Sequence, residues 1–66
     1  MQVVINGEPQ ALIAGSTVAT VLTQLNATGQ RVAVERNGAI VPRSQHAQTP
    51  LHEGDVIEVV IAVGGG

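Results

Sequence analysis

Two Asn-Gly dipeptides, Asn6-Gly7 and Asn37-Gly38, each end a β-prone run, and they constrain this fold more than any other feature. A two-residue hairpin loop of type I′ needs positive φ at both central positions, which Asn and Gly adopt at least cost. Val3-Val4-Ile5 and the return from Glu8 to Ile13 therefore read as one hairpin. Pro9 cannot donate to a ladder, so it belongs on an edge or at the start of its strand. Arg31 to Glu35 alternates with period two, and Ala39 to Val41 returns from the second dipeptide, closed by Pro42. Val56 to Ala62 is the most β-prone segment. It places Ile57, Val59 and Ile61 on one face and Val56, Glu58 and Val60 on the other, with Glu58 marking solvent.

Between the hairpins lies one amphipathic pattern. Val18, Val21, Leu22 and Leu25 fall at helical spacing, with Thr17, Thr20, Thr23 and Gln24 on the opposite side. Ser16 is placed to cap the helix start, and Asn26 to Gly29 supplies its stop. So many Val and Thr residues make intrinsic propensity poor, so packing must hold the helix. Arg43 to Pro50 reads as an irregular polar loop with room for a short helical turn, and Glu53-Gly54-Asp55 as a turn. The order is hairpin, helix, hairpin, final strand. The economical solution is α+β: a mixed sheet of about five strands with one main helix on one face. Running the last strand beside the first gives the β-grasp (ubiquitin-like) architecture. Residues 1–62 form this domain, and residues 63–66 a flexible C-terminal glycine tail.

Several functions are excluded by composition. The chain has 66 residues, enough for one domain, and 44% apolar with 12% charged residues describes a packed core. Three Arg against five acids give a net charge of −2, and no aromatic residue is present. Few phosphates could be neutralised and no base could be stacked, so nucleic acid is not an expected partner. The absence of Cys removes disulfides and thiolate chemistry, and fits a reducing compartment. Met1 to Asn6 lacks the basic and apolar regions of a signal peptide. The apolar run Val59 to Val63 falls far short of the ~20 residues of a membrane helix. A cytoplasmic protein without a membrane partner is expected.

Ordinary catalytic groups are sparse. Ser44, His46 and Asp55 form a triple that any small protein offers, and nothing in their spacing joins nucleophile, base and orienter. His46 and His52 suit neither one helix face nor a compact clasp, so both read as surface residues and no metal site is expected. Gly15-Ser16-Thr17 lacks the Lys and the earlier Gly of a phosphate loop. The unusual feature is the end, Gly64-Gly65-Gly66, directly after a strong strand. One reading is a frayed terminus. The other is a probe: Val63 to Gly66 could reach about 13 Å beyond the fold. Without Cβ atoms it could pass a narrow channel and present the bare carboxylate of Gly66 to another protein's active site.

The residues that bear on this choice are Val34-Glu35-Arg36-Asn37-Gly38, Ile40-Val41-Pro42-Arg43, Glu53-Gly54-Asp55-Val56-Ile57 and Val63-Gly64-Gly65-Gly66. With the order of elements, they resemble the ThiS family, the sulfur carrier proteins of thiamine biosynthesis, along the whole chain. The resemblance implies a carrier rather than an enzyme. Its Gly66 carboxylate would be adenylated by an ATP-dependent, E1-like adenylyltransferase of the ThiF type. A sulfur donor protein would then displace AMP to leave a thiocarboxylate, and thiazole synthase of the ThiG type would take the sulfur. Gly64 and Gly65 would be the flexible approach. No cofactor is bound in this scheme, ATP being used by the activating partner. Relatives of the same fold leave two alternatives: a molybdopterin-synthase small subunit, or a ubiquitin-like modifier joined to other proteins through Gly66.

Partner binding is expected on the sheet face away from the helix, where strand alternation directs Val4, Val56 and Val60. Scattered exposed valines are also ordinary on small sheets. Glu53, Asp55 and Glu58 are candidates for contact with basic surface on a partner, or for solubility.

Overall fold

Both Asn-Gly turns form as their chemistry requires. Asn6 and Gly7 have φ of 51° and 83°, and Asn37 and Gly38 have 52° and 85°, the left-handed pair of a type I′ loop. The computed structural model describes residues 1–28 and 31–62. In it β1 (Gln2–Ile5) pairs antiparallel with β2 (Glu8–Ala11), and β3 (Val32–Arg36) with β4 (Ala39–Val41). The last strand, β5 (Val56–Ile61), enters between the hairpins, parallel to β1 and antiparallel to β3. The strand order is β2-β1-β5-β3-β4. Pro9 sits on the edge strand β2, opposite Val4, where a residue without an N–H is tolerated. This is the β-grasp arrangement expected from the sequence.

The turn asparagines also hold β5. Asn6 donates from Nδ2 to the Val59 carbonyl at 3.2 Å, and its Oδ1 accepts from the Val59 amide at 2.7 Å. Asn37 accepts from the Val56 amide at Oδ1 (2.9 Å), while its own amide donates to the Val56 carbonyl (2.8 Å). Each side chain thus extends the backbone pairing of β5 one step past the flanking strand.

The helix, α1 (Val18–Gln24), starts one residue later than its sequence suggests. Thr17, not Ser16, is the cap. Its Oγ1 accepts from the Thr20 amide, and the Thr20 hydroxyl accepts from the Thr17 amide at 3.0 Å, a reciprocal capping box. Ser16 is buried and donates instead to the Ile13 carbonyl at 2.8 Å. The stop falls at Asn26, whose φ of 57° is left-handed. The Asn26 amide bonds to the Thr23 carbonyl and the Ala27 amide to the Leu22 carbonyl, the paired bonds of a Schellman end. Leu25 is therefore turned out of the expected stripe and is 38% exposed. Gly29, part of the expected stop, lies outside the described residues.

Val18, Val21 and Leu22 pack on one sheet face against Val3, Ile5, Val34, Val41, Ile57 and Val59, with Leu12, Ala27 and Leu51 completing the core. Each buried Val, Leu or Ile contributes roughly 1.5–3 kcal/mol, which supplies what helix propensity lacks. Ile61 was expected inward but is a further partly exposed residue: it lies at the sheet's end, opposite half-buried Val32, where the core cover thins. Arg43–Gln48 forms a 3₁₀ helix, the short turn for which the loop had room. Backbone bonds from Val18 to Thr49 and from Leu51 to Ser16 tie the segment after it to the start of α1.

Candidate functional site

Because α1 covers one face of the sheet, every second residue of the central strands is left on the other. Register brings these together. Val4 lies opposite Val56, Val60 opposite Ala33, and Glu35 opposite both Glu58 and Ile40. Val56 and Val60 are 42% and 64% exposed, and Ile40 is 65% exposed, while Val4 is half-buried. The three valines expected on this face share it, with Val4 the least accessible. Ile40 and Ala33 were missed. Inward Val41 signals that Ile40 points out, and the β3–β4 register sets it beside Glu35, in the row of Glu58 and with β3 between it and the valines of β5.

Of the three acids considered for partner contact, only Glu58 stands free on this face among the described residues. Glu53 accepts the Gln2 amide through Oε1 at 2.9 Å. Asp55 is buried and fully engaged. Its Oδ2 accepts from Arg36 Nε at 2.9 Å and from the His52 amide at 2.8 Å, and its Oδ1 from Asn37 Nδ2 at 3.0 Å. Burial opposes its ionisation, but the hydrogen bonds from Asn37, Arg36 and the His52 amide, with the Arg36 charge, outweigh it. The carboxyl is held below its usual value. Asp55 is thus an internal brace that locks the second turn to the start of β5, not a contact for a partner.

The Ser44, His46 and Asp55 triple is not assembled. His46 is buried, contrary to the expectation of a surface residue, because the 3₁₀ helix folds it against β4. Its Nε2 donates to the Val41 carbonyl at 3.1 Å, and Asp55 is committed elsewhere. Among the described residues no group of three or more His, Asp or Glu side chains gathers as a metal site. None of the described helices is long and apolar enough to cross a membrane.

At the end of β5 the open face gives way to a groove of about 350 Å³, lined by Arg31, Val32, Ala33, Arg43, Val60 and Ala62. The Ala62 amide donates to the Arg31 carbonyl at 2.8 Å, so the chain stays paired to the sheet up to that residue. Val63 and the expected functional glycines, Gly64, Gly65 and Gly66, lie outside the described residues.

The sequence profile of the ThiS family matches residues 3–66. The chain is 36% identical to the sulfur carrier protein ThiS of Escherichia coli over the full length of both. It is 46% identical over its whole length to a thiazole synthase of Paramagnetospirillum magneticum, of which it spans only 20%. The crystal structure of a thiamine biosynthesis protein (ThiS) from Geobacter metallireducens superposes with a TM-score of 0.81 at 30% identity, covering both chains completely.

Proposed function

The chain belongs to the ThiS family, and from that premise we propose that it is a sulfur carrier protein of thiamine biosynthesis whose working group is the carboxyl of Gly66. The observation that carries this reading is the end-to-end likeness to the Escherichia coli carrier. A carboxylate is a poor electrophile. In the proposed sequence a Gly66 oxygen attacks the α-phosphate of ATP in the active site of an E1-like adenylyltransferase, and pyrophosphate leaves. Sulfide released by a donor protein then attacks the acyl carbon, the bond to the phosphate breaks with AMP as leaving group, and a thiocarboxylate remains. Thiazole synthase receives that sulfur. The likeness to a fifth of a thiazole synthase supports this last pairing.

The carrier contributes position and not catalysis. Residues 1–62 act as the handle and residues 63–66 as the reach, glycine being the residue that lets backbone approach most closely. The open face, where Val4 with Val56 and Val60 with Ala33 flank the row of Glu58, Glu35 and Ile40, docks the partner while the tail is inside it, in keeping with exposed apolar side chains on a small domain.

The test is the intact mass after incubation with ATP, the activating enzyme and a sulfide source. The expected product has one sulfur in place of one oxygen, and neither a chain without Gly66 nor one extended by a bulky residue forms it. Sulfur uptake by the extended chain, or covalent conjugates on other proteins in place of a thiocarboxylate, would overturn the proposal.

A further inference from the structure

Only three cationic side chains occur in the chain, and Arg36 is consumed by Asp55. The other two come from different elements yet line one groove. Arg31 precedes β3, Arg43 opens the 3₁₀ helix, and aliphatic Val32, Ala33, Val60 and Ala62 lie between them. Neither arginine makes an ion pair with an acid among the described residues. Continuing the β3–β5 register sets Ala62 opposite Arg31, so the groove sits where the chain leaves the sheet toward the tail. The next row along the open face is apolar, Val60 with Ala33, and the row beyond is acidic, Glu58 with Glu35.

We propose that this groove docks a carboxylate-bearing segment of the activating partner, an Asp or Glu side chain entering between the guanidinium groups of Arg31 and Arg43. This rests on the tail reading above. The chain as a whole is acidic, so long-range attraction does not bring in an acidic partner. The two arginines act locally, pairing with carboxylate in the planar geometry that guanidinium favours. The aliphatic floor accepts a side-chain stem and offers no ring on which a nucleotide base could stack. The acidic row beyond Val60 repels a carboxylate displaced along the face. Basic end, apolar centre and acidic row thus fix one register, and that register sets the tail at its entrance.

The experiment measures kcat/KM for pyrophosphate release by the activating enzyme with wild-type carrier, an Arg31→Glu/Arg43→Glu double variant and an Arg31→Gln/Arg43→Gln double variant. Each is assayed at low and high salt, with a thermal melt as the check on folding. Charge reversal is expected to lower kcat/KM about tenfold or more at low salt, through KM with kcat retained at saturation. The Gln pair is expected to fall between. The differences should shrink at high salt, where screening shortens to ~3 Å at 1 M. Should the Glu pair fail to melt cooperatively, the Gln pair decides alone. Unchanged kcat/KM, or a loss that salt does not relieve, overturns the groove while leaving the tail reading intact. Wild-type carrier that releases no pyrophosphate overturns both. Self-association of wild type at assay concentration, abolished by charge reversal, assigns the groove to a second copy and overturns the proposal.

Discussion

Replacing Asp55 by Asn keeps the shape of the side chain and removes its charge, so it isolates the brace between the second turn and β5. The retained oxygen can face Arg36 Nε and the His52 amide, now as a neutral acceptor. The new amide then meets Asn37 Nδ2, donor against donor. Asn37 cannot relieve this by flipping, because its Oδ1 already accepts from the Val56 amide. Hydrogen bonds to a charged group contribute about 1.5–3 kcal/mol and neutral ones about 0.5–1.5, so two weakened bonds lose roughly 1 kcal/mol each. The unmatched donors add ~1 kcal/mol or more, and exposure of the Arg36 partner takes some of this back. The sum is about 2–4 kcal/mol. For a domain of this size that corresponds to a fall in Tm of roughly 10–20 °C. The loss must also depend on pH. The folded-state value of Asp55 is depressed, so its contribution is complete above the unfolded carboxyl value near pH ~3.9 and disappears as pH falls through the folded one. The four glutamates are common to both proteins and cancel in the comparison. Urea melts of wild type and variant from pH 7 downward should show a gap that narrows below pH ~4. A gap under about 1 kcal/mol at pH 7, or one that does not narrow in acid, refutes the reasoning.

Three further predictions rest on single contacts. Val60→Asp on the exposed face should leave Tm nearly unchanged but lower adenylation kcat/KM about tenfold, in line with a residue near the centre of an interface; full activity would remove Val60 from the docking surface. Glu58→Gln relieves the like charge opposite Glu35 and should raise stability by about 0.2–1 kcal/mol in low-salt urea melts, an effect lost at high salt. Asn6→Gly keeps the positive φ and deletes both bonds to Val59, so it should lower stability by about 1–3 kcal/mol, read by the same melts; a neutral result would mean that the side chain adds nothing to β5.

The hairpins, the helix and the place of the last strand were legible because each follows from local chemistry: Asn-Gly demands a type I′ loop, and period-two alternation separates the two faces. The cap was placed one residue early because adjacent Ser16 and Thr17 are equivalent as cap chemistry. Thr20 decides between them by taking the role usual for Glu or Gln. The second functions of Asn6, Asn37 and Asp55 were not legible, since they depend on partners far along the chain, brought close only by the insertion of β5. His46 was misplaced for a different reason: the loop had room for a helical turn, but that the turn buries the imidazole against the Val41 carbonyl is set by packing. As for the site, the alternating valines announced the open face, but the convergence of Arg31 and Arg43 needed the packing of the 3₁₀ helix against the sheet's end.

The strand that leads to the tail lies in the middle of the sheet, parallel to one neighbour and antiparallel to the other, with an asparagine clamp on each side. A tug applied along it loads the β3 row over most of its length and the β1 pairing and Asn6 clamp nearer its start in shear, and not one bond after another as in a peeled edge strand. Load entering β5 from its C-terminal end is therefore shared with β3 and β1 instead of unravelling the strand on its own.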